Sequence, residues 1–278
     1  MSSLQTPPLS ADRATPASRT LRWVRILLPL AVLAAGVAVW DLVVWLNDIP
    51  PYVLPGPSAV FRTLLSDWPV LSQSLLVTLT TTLEGFAAAA LGGIALALLF
   101  NQSKWLEYSL FPYAVILQVT PVIAIAPLLL IYLPQQTAVI ACAWIVGFFP
   151  VLSNTTLGLN SVDRNLAGLF QLYGASRLQT LRYLKLPAAL PFILGGLRIA
   201  GGLSLIGAVV AEIAAGSAGA GSGLAYRIAE SGYRLNIPRM FAALLLLTAA
   251  GIVIYGLLAL TSHLVLRRWH ESALGKEN

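Results

Sequence analysis

The chain has 278 residues, 58% of them apolar and only 10% charged, with a net charge of +6 and a mean hydropathy of +0.80. A soluble domain carries about 25% charged residues, so this chain cannot cover a water-facing surface in the ordinary way. Disorder, a nucleic-acid-binding arm and a secreted disulfide scaffold are excluded, which leaves an integral membrane protein.

Residues 1–21, rich in Ser, Thr, Pro and Arg, are expected to form a disordered tail. Six apolar runs follow, at residues 26–46, 75–100, 110–133, 138–159, 186–215 and 240–266. Each is near or above the ~20 residues that a bilayer core requires. All must be helices, because lipid offers an unpaired backbone group nothing and no barrel-like alternation is visible. The first run resembles a signal peptide in having Arg25 before it and Ala34-Ala35-Gly36 within it. It is too long for that, contains Asp41 and is followed by no polar mature domain, so it reads as a span.

Six crossings place both termini on one side, and the cations choose the side. Of the 17 Lys and Arg, only Arg62, Arg227, Arg234 and Arg239 fall in the segments opposite the termini, and Arg198 falls in the fifth span. The rest cluster with the termini, which are therefore expected in the cytoplasm. The predicted architecture is an all-α integral membrane protein of six transmembrane helices, with a transmembrane domain over residues 22–270 and a short tail over 271–278.

After the first span, Pro50, Pro51, Pro55 and Pro57 force an extended path. Ser58 is expected to cap a short interfacial segment ending near Trp68. Pro29, Pro112, Pro121, Pro127, Pro150, Pro187 and Pro191 interrupt the spans, and such kinks suit an internal cavity or moving halves. The lone Cys142 lies in an apolar run and reads as a buried small hydrophobe. No metal-ligand spacing is present.

Asp41, Glu84, Arg198 and Glu212 fall in or near spans. An ionised side chain at a helix centre costs about 2.5–3.5 kcal/mol on insertion scales, so each should face protein, water or an interface. Glu84 is the deepest. Arg198 is expected near the inner boundary, snorkelling or paired. Glu212, near the outer end of its span, is either a gate residue or simply wet. With Gln118, Thr120 and Asn154, the two glutamates Glu84 and Glu212 are the candidates for lining a path. The small residues of stretches 87–97 and 195–207 allow close helix approach, for packing within the chain or between two copies.

The segment between the fourth and fifth spans, residues 160–186, is the most informative. From Asp163, a helix places Leu166, Leu169, Phe170 and Tyr173 on one apolar face. Gly174 supplies the left-handed residue that ends a helix. Ser176 and Gln179 have capping-box spacing, so a second short helix is expected to start there, carrying Arg177, Arg182 and Lys185. Leu186-Pro187 then opens the fifth span. Two roles fit these residues: a helix lying on lipid, or one docking into a groove on a soluble partner.

Gly174-Ala175-Ser176, followed by Leu184, Leu186-Pro187-Ala188-Ala189-Leu190-Pro191, resembles the EAA loop of ABC-importer permeases, a glycine, nine residues, an aliphatic, any residue and Leu-Pro. The stretches at 195–200, 208–212 and 53–60 resemble the nitrate/sulfonate/taurine and pyrimidine-precursor branch of that binding-protein-dependent transport family. The resemblance implies a type I (MetI-like) permease fold in a bacterial inner membrane. It also implies a second permease copy, a cytoplasmic ABC ATPase dimer that binds ATP and Mg, and a periplasmic or lipoprotein solute-binding protein. The helix over 166–173, with Gly174, Ala175, Ser176, Arg177, Leu184, Leu186 and Pro187, would couple the ATPase to the spans. This chain departs from the pattern in two places. Gly168-Leu169-Phe170 replaces Glu-Ala-Ala, so apolar packing must do more of the docking, and Glu84 stands where many relatives have a basic residue.

No Walker Gly-x-x-x-x-Gly-Lys-Ser/Thr, His-Glu-x-x-His or Gly-x-Ser-x-Gly occurs, so no cofactor is expected on this chain. His263 and His270 read as interface residues near the inner end of the last span. The glycine-rich stretch 216–223 reads as an outer loop or re-entrant turn. A membrane-embedded enzyme would need a catalytic constellation that is not visible, and a structural anchor would need neither the broken spans nor the intramembrane charges. A transport subunit is the expected function.

Overall fold

A computed structural model describes residues 16–216 and 221–267. The chain falls into two units, Met1–Ala59 and Val60–Asn278.

In the first unit, α1 (Pro16–Leu46) carries the first span; it starts six residues before the expected boundary at residue 22. Its leucines and valines from Leu27 to Leu46, apart from the half-buried Val44, are exposed, as suits a helix solvated by lipid. Asp48, at φ 46°, turns the chain before Pro50 and Pro51. Residues 50–57 then fold back so that a Cβ on Gly56 would lie 3.4 Å from an Asp41 carboxylate oxygen. The short helix α2 (Pro57–Ser66) crosses the unit boundary. It starts one residue before Ser58, which is therefore inside the helix and not its cap, because proline suits the first helical position.

The second unit is built on α3 (Trp68–Gln102), α4 (Lys104–Val119), α5 (Val122–Tyr132) and α6 (Gln135–Asn160). The cytoplasmic helices α7 (Arg164–Leu172) and α8 (Arg177–Thr180) lead through a π turn (Leu181–Lys185) into α9 (Leu186–Ala215). α10 (Leu224–Tyr233) and α11 (Ile237–Leu266) complete it. Glycines let α6 touch a neighbour on each side. Against α3, a Cβ on Gly85 would sit 2.5 Å from Ala143 Cβ and one on Gly93 2.9 Å from Val151 Cβ. The register of 85 with 143 and 93 with 151 makes α3 and α6 parallel. Against α9, Gly158 meets Ala189, Gly196 meets Pro150 and Asn154, Gly147 meets Ser204, and Gly207 meets Cys142, an antiparallel register. Gly201 against Ile254 and Leu258, with Gly251 against Leu205, sets α11 antiparallel to α9. At the inner end Phe100, Phe148, Leu152, Leu159 and Ile193 form the main core. Phe111 bridges Phe100 and Phe149 at 6.4 and 6.1 Å between ring centroids, tying α4 to α3 and α6.

The third apolar run corrects the sequence reading. It is not one helix but two, α4 and α5, bent by 99° at Thr120–Pro121. Proline has no N–H and disfavours the α region for the residue before it, and Thr120 is extended at φ −73°, ψ 124°. The parallel register of α3 and α6 shows that the bent pair crosses, since the chain must return from the inner end of α3 to the outer start of α6. The small residues of α3 divide between two faces. Ala89, Gly93 and Ala97 pack within the chain, whereas Ala87, Ala88 and Ala95 are exposed, as is Glu84 on the same side of α3. The buried residues of α3 follow a helical stripe through Thr78, Gly85, Ala89 and Gly93, and Glu84 lies off it.

Candidate functional site

Three places in the second unit carry chemistry. The first is the cytoplasmic segment. Asp163 caps α7, its Oδ1 accepting from the backbone N–H of Asn165 (2.6 Å) and Leu166 (3.3 Å). The helix ends in a Schellman turn: Gly174 N–H donates to the Gln171 carbonyl (3.0 Å) and Ala175 N–H to the Phe170 carbonyl (2.9 Å), with Gly174 at φ 69°. Two residues on, Ser176 and Gln179 form a reciprocal capping box, Gln179 N–H to Ser176 Oγ at 3.2 Å and Ser176 N–H to Gln179 Oε1 at 2.7 Å. Leu166, Leu169, Leu172 and Tyr173 are exposed, Phe170 is half-buried, and no residue of α7 is buried.

The second short helix is not a separate element. α8 passes through the π turn into α9, so Arg177–Ala215 is one helical rod. Pro187 explains the π turn, because its ring blocks the carbonyl four residues earlier and it has no N–H to give. Leu184, Leu186 and Pro187 are half-buried at this junction, where Lys185 Nζ donates to Asn101 Oδ1 (3.2 Å) at the end of α3. Replacing Ser176 with Ala should cost about 1 kcal/mol of local stability. Amide hydrogen exchange should speed up at residues 176–180 and not in α7.

The second place is the break between α4 and α5. Pro121 has no N–H to give to the Leu117 carbonyl. Backbone left open at membrane depth is tolerated where it is buried in protein or lines a wet cavity. These residues do line one, a cavity of about 340 Å³ with Gln118, Thr120, Val146, Pro150 and Leu203 in its wall. Pro150 has no N–H for the Val146 carbonyl, and its own carbonyl accepts from Asn154 Nδ2 at 2.8 Å. The structure thus brings Gln118 and Thr120 together at a broken helix and places Asn154 one turn further along α6, towards the inner end.

The third place lies at the outer end of α9. Glu212 is buried, being only 3% exposed. Its Oε2 accepts from Thr78 Oγ1 (3.0 Å) on α3 and from Ala225 N–H (3.0 Å) on α10, while Thr78 Oγ1 accepts from Leu224 N–H (2.8 Å). One carboxylate therefore holds the positive end of α10 against α3 and α9. Gly223 is required there, because any Cβ would overlap the Glu212 carboxylate. Glu212 Oε1 has no hydrogen-bond partner among the described residues. Glu212 lines a cavity of about 290 Å³ with Thr80, Thr81, Gln135 and Gln136. Ion pairs hold the surrounding outer surface: Arg239 with Asp67 (2.6 Å), and Arg227 and Arg234 with Glu230 (2.8 and 3.0 Å).

Glu84 joins neither cavity, and Arg198 lies half-buried with its guanidinium 6.0 Å from the Tyr255 ring centroid. Sequence reasoning misses Thr78, Gly223, Gln135, Gln136 and α10. The run Thr78-Leu79-Thr80-Thr81-Thr82, a patch of hydroxyls within a span, is the one signal that points there. His270 and the tail beyond it lie outside the described residues, as do residues 217–220 of the glycine-rich loop.

Residues 89–267 match the family described as the binding-protein-dependent transport system inner membrane component. The chain is 34% identical to a probable ABC transporter permease protein of Haemophilus influenzae over 84% of its length and 94% of that protein's. It is 32% identical to the riboflavin transport system permease protein of Chloroflexus aurantiacus over 95% of its length and 98% of that protein's. Among solved structures, an amino acid ABC transporter described as crystallised with histidines matches 73% of this chain and 97% of its own, with a TM-score of 0.59 and 21% identity, a likeness of fold. The broken span, the capped cytoplasmic helix and these matches agree: the chain belongs to the inner-membrane permease family of binding-protein-dependent ABC importers, multi-pass transport subunits, not enzymes, that work with an ATPase and a solute-binding protein.

Proposed function

We propose that two copies of this chain form a translocation path for a small solute, and that α7 of each copy seats in a cleft of a cytoplasmic ATPase that binds the ATP and Mg. A solute-binding protein delivers the solute from outside. A solute of the nitrate, sulfonate, taurine or pyrimidine-precursor class is supported by relatives: permeases for formylaminopyrimidine in Halalkalibacterium halodurans, for taurine in Escherichia coli and, by name, for aliphatic sulfonates in Bacillus subtilis are 34%, 32% and 28% identical to this chain.

The carrying observation is mechanical. α7 is capped at both ends, exposes Leu166, Leu169 and Tyr173, and is joined through two interlocked turns to a helical rod that runs unbroken to Glu212. A push on α7 is therefore passed into the membrane without a flexible joint. Gln118, Thr120, Asn154 and Glu212 line the path in this reading, and Glu84, exposed on α3, faces it or the second copy.

Cys142 is buried, so Leu169→Cys gives a single reactive thiol on α7. In the purified complex a short bismaleimide spacer at that thiol, with a cysteine placed in the ATPase cleft, should yield one cross-linked band at the summed mass of the two subunits. A Leu169→Cys thiol that reacts with soluble maleimide equally fast with and without the ATPase overturns the docking role.

A further inference from the structure

A further cavity carries charge and lies apart from the two at membrane depth. It has a volume of about 390 Å³ and opens at the inner boundary, between the end of α3, α7 and the start of the rod. Asn101 and Gln102 wall it from α3, Gln171 from α7, and Arg177, Thr180 and Lys185 from the rod. No carboxylate lines it among the described residues. Neither Arg177 nor Lys185 has an ion-pair partner among those residues. Lys185 Nζ donates to a neutral acceptor, Asn101 Oδ1, which leaves the Asn101 amide nitrogen as a donor. The carboxylates in the adjoining segments are engaged elsewhere. Glu107 pairs with Lys104, and Asp163 caps α7.

Two like charges therefore share one wall with nothing to offset them, and an anion relieves their repulsion. The rest of the wall selects the anion. A guanidinium offers paired N–H groups that match phosphate oxygens, an ammonium adds a compact charge, and the amides and the Thr180 hydroxyl supply further donors. Phosphate, with several acceptor oxygens around one centre, can use these groups together. The level of the cavity indicates where phosphate comes from. Trp105 and Tyr108 at the start of α4, and Tyr183 in the π turn, are exposed. Aromatic side chains of this kind mark the headgroup level, where basic pockets between helices take phospholipid headgroups. We propose that this cavity binds a phosphate group, from an anionic phospholipid headgroup or from soluble phosphate, with Arg177 and Lys185 as its cationic ligands. Bound there, the group links α3, α7 and the rod.

The full chain, stripped of lipid in dodecyl maltoside and phosphate-free buffer, tests the site. Cys142 is buried, so Ala167→Cys puts a single reactive thiol on the cavity wall, and Leu172→Cys puts one on the exposed side of α7, off that wall. The rate of N-ethylmaleimide labelling at position 167, divided by that at position 172, reports occupancy and cancels any general effect of micelle charge. Saturating dioleoylphosphatidylglycerol should lower this ratio on the order of tenfold. Dioleoylglycerol, with the same chains and no phosphate, should leave it unchanged. Inorganic phosphate without lipid forms the second arm. In Arg177→Gln/Lys185→Gln, position 185 can still donate to Asn101, yet the protection should vanish. Lys185→Arg should keep it.

Protection by phosphatidylglycerol alone assigns the lipid as the source, and protection by inorganic phosphate assigns a soluble one; either supports the site. An unchanged ratio in both arms, protection by dioleoylglycerol, or protection that survives in the double variant overturns it. Each of these outcomes leaves the docking of α7 on an ATPase standing, because no ATPase is present in the measurement.

Discussion

Gly174→Val should sharply reduce solute uptake in the assembled importer while leaving membrane insertion, subunit assembly and basal ATP hydrolysis in place. The reason is local and steric. Gly174 sits at φ 69° with no heavy atom within 4 Å of where a Cβ would be, so the obstacle is the backbone conformation and not crowding. A left-handed conformation costs an L-residue roughly 1–2 kcal/mol, and a β-branched one most. To escape it, the Gly174→Val variant must give up the Schellman bonds from residues 174 and 175 to Gln171 and Phe170. That frees α7 to swing against the capping box at Ser176 and puts a soft joint where the motor pushes. A loss of roughly 1–2 kcal/mol in the coupled geometry corresponds to roughly a five- to thirtyfold fall in coupled turnover. The series should be graded, Gly above Asn above Ala above Val, because Asn tolerates the left-handed region. Phe170→Asp should uncouple by another route, putting a charge on the apolar face that docks. ATPase assays alongside uptake into proteoliposomes decide it: normal uptake in both variants means that α7 does not transmit the stroke.

Much of this segment can be read from the sequence because its signals are local. The Asp163 cap, the left-handed Gly174 and the Ser176–Gln179 box each involve partners two to five residues apart, within reach of pattern alone. The family resemblance rests on the same stretch. Two other features are hidden for different reasons. The break at Thr120–Pro121 lies in an evenly apolar run, where hydropathy shows length but not direction, and proline alone does not say whether a span kinks slightly or turns by 99°. The Glu212 cluster joins residues from three helices, with Thr78 and Leu224 separated by 146 positions, so no local period could reveal it. α10 escapes notice because it is short and weakly apolar, and its start is fixed by a carboxylate from another helix, not by a cap of its own. The joining of α8 to α9 is obscured by Pro187, which marks a helix start by rule and here sits within a continuous rod.

The largest structural effect is expected at Gly207, where α9 lies against the backbone of α6. A Cβ there would lie 2.6 Å from the Cys142 carbonyl oxygen and 3.0 Å from Ala143 Cα. Both are backbone atoms, so no side chain can rotate away. Around them Ala126, Val139, Ala208 and Ala211 are fully or almost fully buried, and the site has no slack. Gly207→Leu must therefore push the two helices apart along their length. Overpacking commonly costs about 1–3 kcal/mol, and a clash with backbone on both sides of the contact belongs at the upper end or beyond. Five residues along α9, the same displacement would draw Glu212 away from Thr78 and release α10, so the outer end should loosen with the core. Gly202→Leu is the control, since no heavy atom lies within 4 Å of its Cβ position. Fluorescence-detected size exclusion after graded heating should show Gly207→Leu losing its monodisperse peak far below the unmutated protein, with Gly202→Leu close to it. Cys142→Gly should not rescue the variant, because the clash is with a carbonyl that glycine keeps. Rescue by that change would mean that the helices meet through side chains, and the backbone contact between α6 and α9 would have to be abandoned.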